Sequence, residues 1–501
     1  MLSNKFLPFL FFLLLTACHG PQLPEQFSQV NSMPKIYPDY ADVTIPVNIA
    51  PLCFELFNEA DEAVTRFSCG SDELIVEGLK ARPDINEWKE LLAKSADKDI
   101  TVEVFAHHDG QWARFHPFTL HVSPDRIDPW LSYRLISPSY VSYEELTINQ
   151  RCLENFDEEV IASNMLCSSE EKGQCINCHS YQQYNPQRMQ LHARHAHGAT
   201  LIAYDGQLQK IDNTPPPVYP AWHPTEKLIA YSQNSTMQTF HTVDIDKIEV
   251  YDLQSSLCLY DIDRQQMIPI EEPSNEMATY PAWSPDGRWL YYSSAHFEYA
   301  ADTIDMEEIT LRTRDLKYNI YRRSFDITNR QFGERELVFD ADSLFAPAEG
   351  EMSEGQRGGS ATLPRISPDG RWLLFTMGEY GSFHIWHHDA DLWIAPICLP
   401  QLGEVARPLD ELNSSEAESY HSWSSNGRWI VFSSRRHDGI FTRPFFAHID
   451  EEGLGSKPFE LPSADPDYHL QLLKSYNVPE FTKGPVTLTP QQIASKLKSG
   501  E

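Results

Sequence analysis

Residues 175 to 179 read CINCH, two thiols three apart with an imidazole immediately after them. That spacing is the pattern of c-type haem attachment, in which both sulfurs bond covalently to the porphyrin and the adjacent histidine becomes the proximal iron ligand. Cys175 and Cys178 are then the attachment points for one haem c, and His179 is its iron ligand. The competing chemistry is a structural zinc corner, but a closed zinc site needs a second pair of Cys or His at matching spacing. No other C-x-x-C occurs in the 501 residues. The sixth iron position has candidates downstream: Met189 or His192 first, then His195 and His197. A thioether there raises the redox potential relative to a second imidazole, and an open position admits small ligands. Arg194 is placed to pair with a haem propionate through its planar fork.

Haem is attached covalently outside the cytoplasm, so the motif requires export. The chain begins MLSNKFLPFLFFLLLTACHG, with one lysine, an apolar run from Phe6 to Leu15 and small residues before a cysteine. This reads as a signal peptide over residues 1–17. Leu15, Thr16, Ala17 and Cys18 resemble the bacterial lipobox, which implies lipidation of Cys18 and an anchor in the cell envelope, facing the periplasm, with the outer membrane as the expected site. No other run reaches the eighteen apolar residues of a membrane span. Residues 18–40 contain proline and glutamine without periodicity and suit a tether.

Forty basic residues stand against 72 acidic ones, a formal charge of −32. Such a surface repels nucleic acid and steers a basic partner, which suits a protein redox partner of opposite charge. Apolar content of 41 per cent with 12 per cent aromatics excludes disorder. After one cysteine for lipid and two for haem, six remain, and an oxidising compartment would let them pair. Cys53 with Cys69, and Cys152 with Cys167, are the short-loop pairings to expect first.

The elements that must position this chemistry are repeats. Four segments share one design: YPAWHPTEKLIAYS from Tyr219, YPAWSPDGRWLYYSS from Tyr280, LPRISPDGRWLLFT from Leu363 and YHSWSSNGRWIVFSS from Tyr420. Pro285, Asp286 and Gly287 suit successive positions of a tight turn. Trp289 to Tyr292 is too short for a helix and too uniformly apolar for a half-wet strand, so it reads as a strand buried on both faces. A second aromatic-rich stretch follows in each unit: Ile248 to Leu253, Tyr318 to Phe325, Asp391 to Ile397 and Ile440 to Ile449. The longest insertion is acidic and glycine-rich, around Asp340 to Gly359.

The W-S-P-D-G-R-W turn with its flanking strands resembles the TolB-type β-propeller repeat over residues 200 to 460. The haem motif leading into such repeats, with RMQLHARHAHGATLIAYDG between, resembles bacterial lipoproteins that carry a cytochrome c motif embedded beside a TolB-like propeller. The resemblance implies a mainly β chain with five to seven blades, six preferred, over residues 201–465. His179, Ser180, Pro186, Arg188 and Met189 echo the W-S…P-x-G-R-W order, as though the haem segment, residues 175–200, opened a blade.

Ahead of it, VTIPVNI, LIVEGL, ITVEVFAHHDGQWARF and FTLHV alternate with turns, and Asp109-Gly110 marks a hairpin. Asp84 and Glu87 stand in capping-box spacing before a helix that carries Trp88, Leu91 and Leu92 on one face. Residues 41–125 thus read as a small β-sandwich-like domain with one helix. Residues 126–174 read as a helical connection, with its helix over Tyr143 to Phe156, and 466–501 as a C-terminal tail. His384, His387, His388, Asp389 and Asp391 look metal-rich but read as a solvated blade edge beside Trp386 and Trp393. No G-x-S-x-G elbow, Walker loop or H-E-x-x-H is present, so the sequence offers no catalytic constellation beyond an oxidoreductase built on the haem. Three functions follow as expectations: an envelope-anchored electron-transfer cytochrome with the propeller as docking platform, a redox enzyme with its substrate in the propeller channel, or a scaffold in which haem is structural.

Overall fold

The computed structural model describes residues 21–139, 145–167, 175–194, 197–211, 216–299, 305–341, 359–397 and 406–499. Among these residues six four-stranded antiparallel sheets carry the bulk of the chain. Their innermost strands are, in ring order, Ile176–Tyr181, Val218–Trp222, Glu276–Trp283, Ser360–Ile366, Glu418–Trp423 and Ser475–Thr482, here blades 1 to 6. Each inner strand packs against the next, and the last returns to the first, so the sheets form a closed six-bladed propeller.

The repeat chemistry explains the blades. In blade 3 the Ser284 hydroxyl donates to Asp286 at 2.6 Å and accepts the Trp289 amide at 3.0 Å, which ties the turn to the strand that follows it. Ser367 with Asp369, and Ser424 with Asn426, repeat the arrangement in blades 4 and 5. Asparagine at 426 therefore preserves the turn that aspartate makes elsewhere. In blade 2 the His223 ring replaces the serine, its Nδ1 accepting the Glu226 amide at 3.0 Å. That ring also lies under the next turn: a Cβ on Gly287, whose φ is +70°, would stand 2.4 Å from it, so both space and backbone demand glycine.

Blade 6 departs from the sequence expectation. Its outer three strands, Trp130–Ile136, Thr147–Cys152 and Glu158–Ser163, come from the stretch read as a helical connection. Its inner strand comes from the stretch read as a tail. The stretch read as a helix over Tyr143 to Phe156 forms strand Thr147–Cys152 in its described part, Ile148 lying opposite Arg134, while Tyr143 lies outside the described residues. Only the short helix Asn164–Cys167 follows. The propeller thus extends from Trp130 to Thr482, and helix Pro490–Lys498 then packs Ile493 and Leu497 against blades 6 and 1.

The N-terminal part pairs Val43–Pro46, Phe118–Ser123, Lys98–His108, Gln111–Arg114 and Ser28–Gln29 in one sheet, with Glu62–Cys69 and Asp72–Glu77 on its branch, and faces a three-stranded sheet. Asp84 caps helix Ile85–Lys94 through the amides of Asn86 and Glu87, and the helix buries Trp88, Leu91 and Leu92. Its core is continuous with blades 5 and 6, taking in Tyr133, Trp429, Val431, Phe446 and Phe481. Trp429 is fully buried and its indole N–H donates to the Asp125 carbonyl at 2.8 Å.

The anticipated disulfides are not formed. Cys53, Cys69, Cys152, Cys167 and Cys258 are free thiols among the described residues. Cys152 ends a blade strand opposite Trp130, while Cys167 sits in the apolar cluster under helix Pro490–Lys498, so their separate packing keeps them apart. Cys398, the signal and lipobox residues including Cys18, and the insertion from 342 to 358 lie outside the described residues.

Because Trp429 joins the two cores, Trp429→Ala should destabilise the whole chain by about 3–5 kcal/mol, the range for truncating a buried tryptophan. Urea unfolding followed by fluorescence and circular dichroism would check it. A small loss confined to one transition would show that the N-terminal domain and propeller fold independently.

Candidate functional site

Every inner strand carries the same irregularity. Cys178, Tyr219, Tyr280, Leu363, Tyr420 and Val478 have φ between +48° and +54°, each at a one-residue bulge in the pairing of its blade. A left-handed conformation in a bulky residue costs about 1–2 kcal/mol. Repeated six times around an axis, it re-aims six side chains into one place, as bulges do. All six line a central cavity of about 280 Å³.

This register corrects the alignment of the haem segment. Cys178-His179-Ser180-Tyr181 stands where Tyr280-Pro281-Ala282-Trp283 stands in blade 3, so the motif is the inner strand of blade 1 itself. Tyr181, not His179, occupies the tryptophan place, and Gln182 takes the serine place, donating to the His223 and Glu226 carbonyls at 2.7 and 2.8 Å. Arg188, not Met189, takes the place of Trp289.

Cys175, Cys178 and His179 are brought together on the cavity wall and are 3, 5 and 1 per cent exposed. Arg134 of blade 6 approaches Cys175 Sγ at 3.7 Å and donates to Asn477 Oδ1 at 2.7 Å. Burial pushes the Cys178 thiol up, partly offset by Arg194 and the Tyr219 backbone. Burial, with Arg134 beside it, lowers His179 to about 4, opposed by the nearby backbone of Ser132 and Val478. The ring is therefore neutral at physiological pH, the form that ligates metals. Neither of its nitrogens makes a hydrogen bond of ordinary geometry, although buried polar atoms nearly always find a partner. Two thiols on the same wall as a neutral, buried imidazole fit a covalently held haem. A zinc corner fits less well, since no three His, Cys, Asp or Glu side chains converge as a metal cluster among the described residues.

Among the described residues, Met189, His192 and His197 do not line this wall. Met189 is packed in the apolar cluster between blades 1 and 6. His192 is buried, with Nδ1 on Thr200 Oγ1 at 3.0 Å, and burial lowers it to about 3. His197 lies in the turn before Ala199–Tyr204, Arg194 lines the cavity, and His195 is outside the described residues.

The cavity is roofed by a structure the sequence did not announce. The strands Leu228–Phe240 and Ile248–Asp261 extend past blade 2 as a hairpin, placing Asn234, Thr236, Gln238 and Val250 over the cavity. Phe383, Ile385 and Trp386 of blade 4 meet it there. The supposed solvated edge is the latch between them. His384 and His387 are buried, His387 Nε2 lies 3.2 Å from Glu249 Oε1, and Tyr380 donates to Glu249 Oε2 at 2.6 Å. Ser382 donates to Asp252 at 2.6 Å, and His388 meets Asp246 at 3.1 Å. Partners some 130 residues apart cannot be paired by inspecting either segment alone. Tyr219, Tyr280 and Tyr420 were also missed as site residues, although the tyrosine that opens three of the four repeats was the available signal.

No family model matches the chain, and no curated protein does. Among solved structures it is similar to the tricorn protease, at 12% identity over 74% of this chain and 34% of that one, with a TM-score of 0.35. It is similar to prolyl oligopeptidase B from Galerina marginata, at 8% identity over 66% and 42% with a TM-score of 0.36, and to the GH74 enzyme of Niastella koreensis, at 9% over 69% and 53% with a TM-score of 0.33. The chain spans about a third to a half of the length of these proteins.

The latch carries its own pH dependence. Burial pulls His387 down, but the hydrogen bond and charge of Glu249, with Asp389 and Asp246, carry it above its usual 6.5. Burial raises Glu249, but His387 and Tyr380 hold it below its usual 4.5. The histidine's share is complete below pH 6.5 and lost as pH climbs through its raised folded value; the glutamate's share is complete above pH 4.5 and lost as pH falls through its lowered one. Amide-exchange protection of residues 248–252 should therefore peak between pH 4.5 and 6.5. His387→Gln should lower it and flatten the alkaline limb. Equal profiles in both proteins would mean that the pair does not hold the hairpin.

Proposed function

We propose that this chain is a mono-haem c-type cytochrome, held by lipid at Cys18 in a bacterial envelope facing the periplasm, that passes electrons to a protein partner. The observation that carries the reading is the position of CINCH: it forms an inner propeller strand whose two thiols and neutral, buried His179 ring line one cavity. Cys175 and Cys178 would hold the porphyrin by thioether bonds and His179 would hold the iron. Bound haem supplies a reversible one-electron couple.

The chain's own residues supply the surroundings. Arg134, Arg194 and Arg365 line the cavity against a single lining carboxylate, Glu480, a local positive balance in a strongly acidic protein that suits propionates. Tyr219, Tyr280, Phe383 and Trp386 supply aromatic wall beneath the hairpin roof. The acidic exterior would steer a basic redox partner toward the propeller and make the encounter salt-sensitive. The roofed cavity also favours a second reading, in which a small substrate enters beside the haem.

Export of the full chain in a host with haem-ligation machinery tests the proposal. A denaturing gel should retain peroxidase-active haem on the polypeptide, and Cys175→Ala with Cys178→Ala should abolish it. Cys18→Ser should release the protein from the membrane fraction. An exported, folded wild-type chain without covalent haem would defeat the reading.

A further inference from the structure

The turns between first and second strands lie at one end of the propeller, so the connections between second and third strands, and the links from blade to blade, lie at the other. The hairpin that roofs the cavity is such a connection, in blade 2. Its last strand pair is Phe240 with Ile248, and the tip beyond is closed by the His241 amide on the Lys247 carbonyl at 2.8 Å and the Asp246 amide on Asp244 Oδ1 at 3.3 Å. Neighbouring blades hold the tip in place. Gln238 donates to the Ser139 carbonyl at 3.1 Å, Asp246 accepts the His388 amide at 3.0 Å, and Ile248 packs with Ile385 and Trp386.

On this fixed tip Phe240, Val243 and Ile245 are 56, 92 and 64 per cent exposed. Large apolar side chains scattered singly over a surface need no explanation, but three clustered on one protruding turn mark a contact. Blade 5 adds to them. Arg435 lies over the Trp386 ring at 3.8 Å and donates to the Gly439 carbonyl at 3.3 Å, which brings the exposed Ile440 to the same end.

Charge decides what can cover the tip. The chain carries a formal charge of −32, and the tip itself has Asp244 and Asp246 against Lys247. A second copy of this chain, or an anionic bilayer, is repelled by such a surface. A protein with an apolar recess rimmed by lysine and arginine is drawn to it, and a tip already held in place loses little freedom on docking. The position also suits electron exchange, because Phe240 stands two residues, roughly 7 Å of strand, beyond the cavity-lining Gln238.

We infer that the hairpin tip, with Phe240, Val243 and Ile245 as its apolar contacts, is the docking element for a basic protein that exchanges electrons with this chain. The inference rests on the redox-partner reading above and adds the face on which that partner sits.

The test mixes the reduced, exported full-length holoprotein with ferric cytochrome c of the basic mitochondrial type as probe. The rate of electron exchange should fall about tenfold from low to physiological salt. At low salt it should also fall about tenfold in the double variant Val243→Ser with Ile245→Ser. Leu337→Ser, at an exposed apolar position on the outer strand of blade 3, should leave the rate unchanged. All these proteins should share one haem spectrum and one rate of reduction by dithionite. In the envelope of the producing bacterium, Val243→benzoylphenylalanine should cross-link on irradiation to a protein in which lysine and arginine outnumber aspartate and glutamate. A double variant as fast as wild type, or a rate indifferent to salt, overturns the inference and leaves the haem reading standing. So does a position-243 residue that forms no adduct, or cross-links only to a second copy, to lipid or to residues 140–144 of its own chain. Absence of covalent haem removes the redox reading by itself, while the cross-link still decides whether a basic partner sits on the tip.

Discussion

The closure of the ring by Ser475–Thr482 is the constraint on which the rest depends. Without it blade 6 would end on the unpaired edge of Trp130–Ile136, and the first and last blades would each leave a face uncovered. Here the last strand of the chain pairs with Trp130–Ile136, the first strand of the propeller, inside one sheet. Residues more than 340 apart in sequence are thereby held in register, Ser132 opposite Glu480 and Arg134 opposite Asn477. Closing so long a loop costs little more entropy than closing a shorter one, because the cost grows only with the logarithm of length. The strand pairing and the shared core with the N-terminal domain offset it. Arg134 reaches Cys175 only because this pairing is made.

Ring closure also turns local strain into a site. One bulged residue with positive φ is an irregularity; six at the same register converge on an axis. The strain persists because each bulge lies in a paired strand, and in blades 1 to 5 it is followed by a turn held through a serine, histidine or glutamine side chain. The haem motif exploits a position that the fold already provides. At that position blades 2, 3, 4 and 6 carry proline after the bulged residue, whereas blade 1 carries His179 and blade 5 carries His421. Both rings are buried against backbone: Leu374 and Leu363 stand beside His421, Ser132 and Val478 beside His179.

The roof follows a different logic from the walls. Glu249 and Asp252 are buried and hydrogen-bonded across blades, Glu249 to Tyr380 and His387 and Asp252 to Ser382. Such a network specifies where the hairpin lies more than it adds stability. Over the cavity it presents apolar residues together with amide and hydroxyl groups such as Asn234, Thr236 and Gln238. The charge of the molecule stays on its exterior, and the three lining arginines are an exception inside it.

The blades were legible in the sequence because they are made by local chemistry. A turn of serine, aspartate or asparagine and glycine, followed by a short apolar strand, repeats wherever it is encoded, and the N-terminal helix was announced by Asp84 and its apolar face for the same reason. The CINCH spacing is likewise local, and all three residues line the cavity. What the sequence could not disclose was everything that depends on partners far apart. Blade 6 has no repeat signature, since its strands come from both ends of the propeller. The latch joins Glu249 to His387, and the distal candidates turned away from the cavity because strand pairing, not sequence distance, decides which face a side chain occupies. Spacing along the chain determined which residues could do chemistry; closure of the ring decided which of them meet.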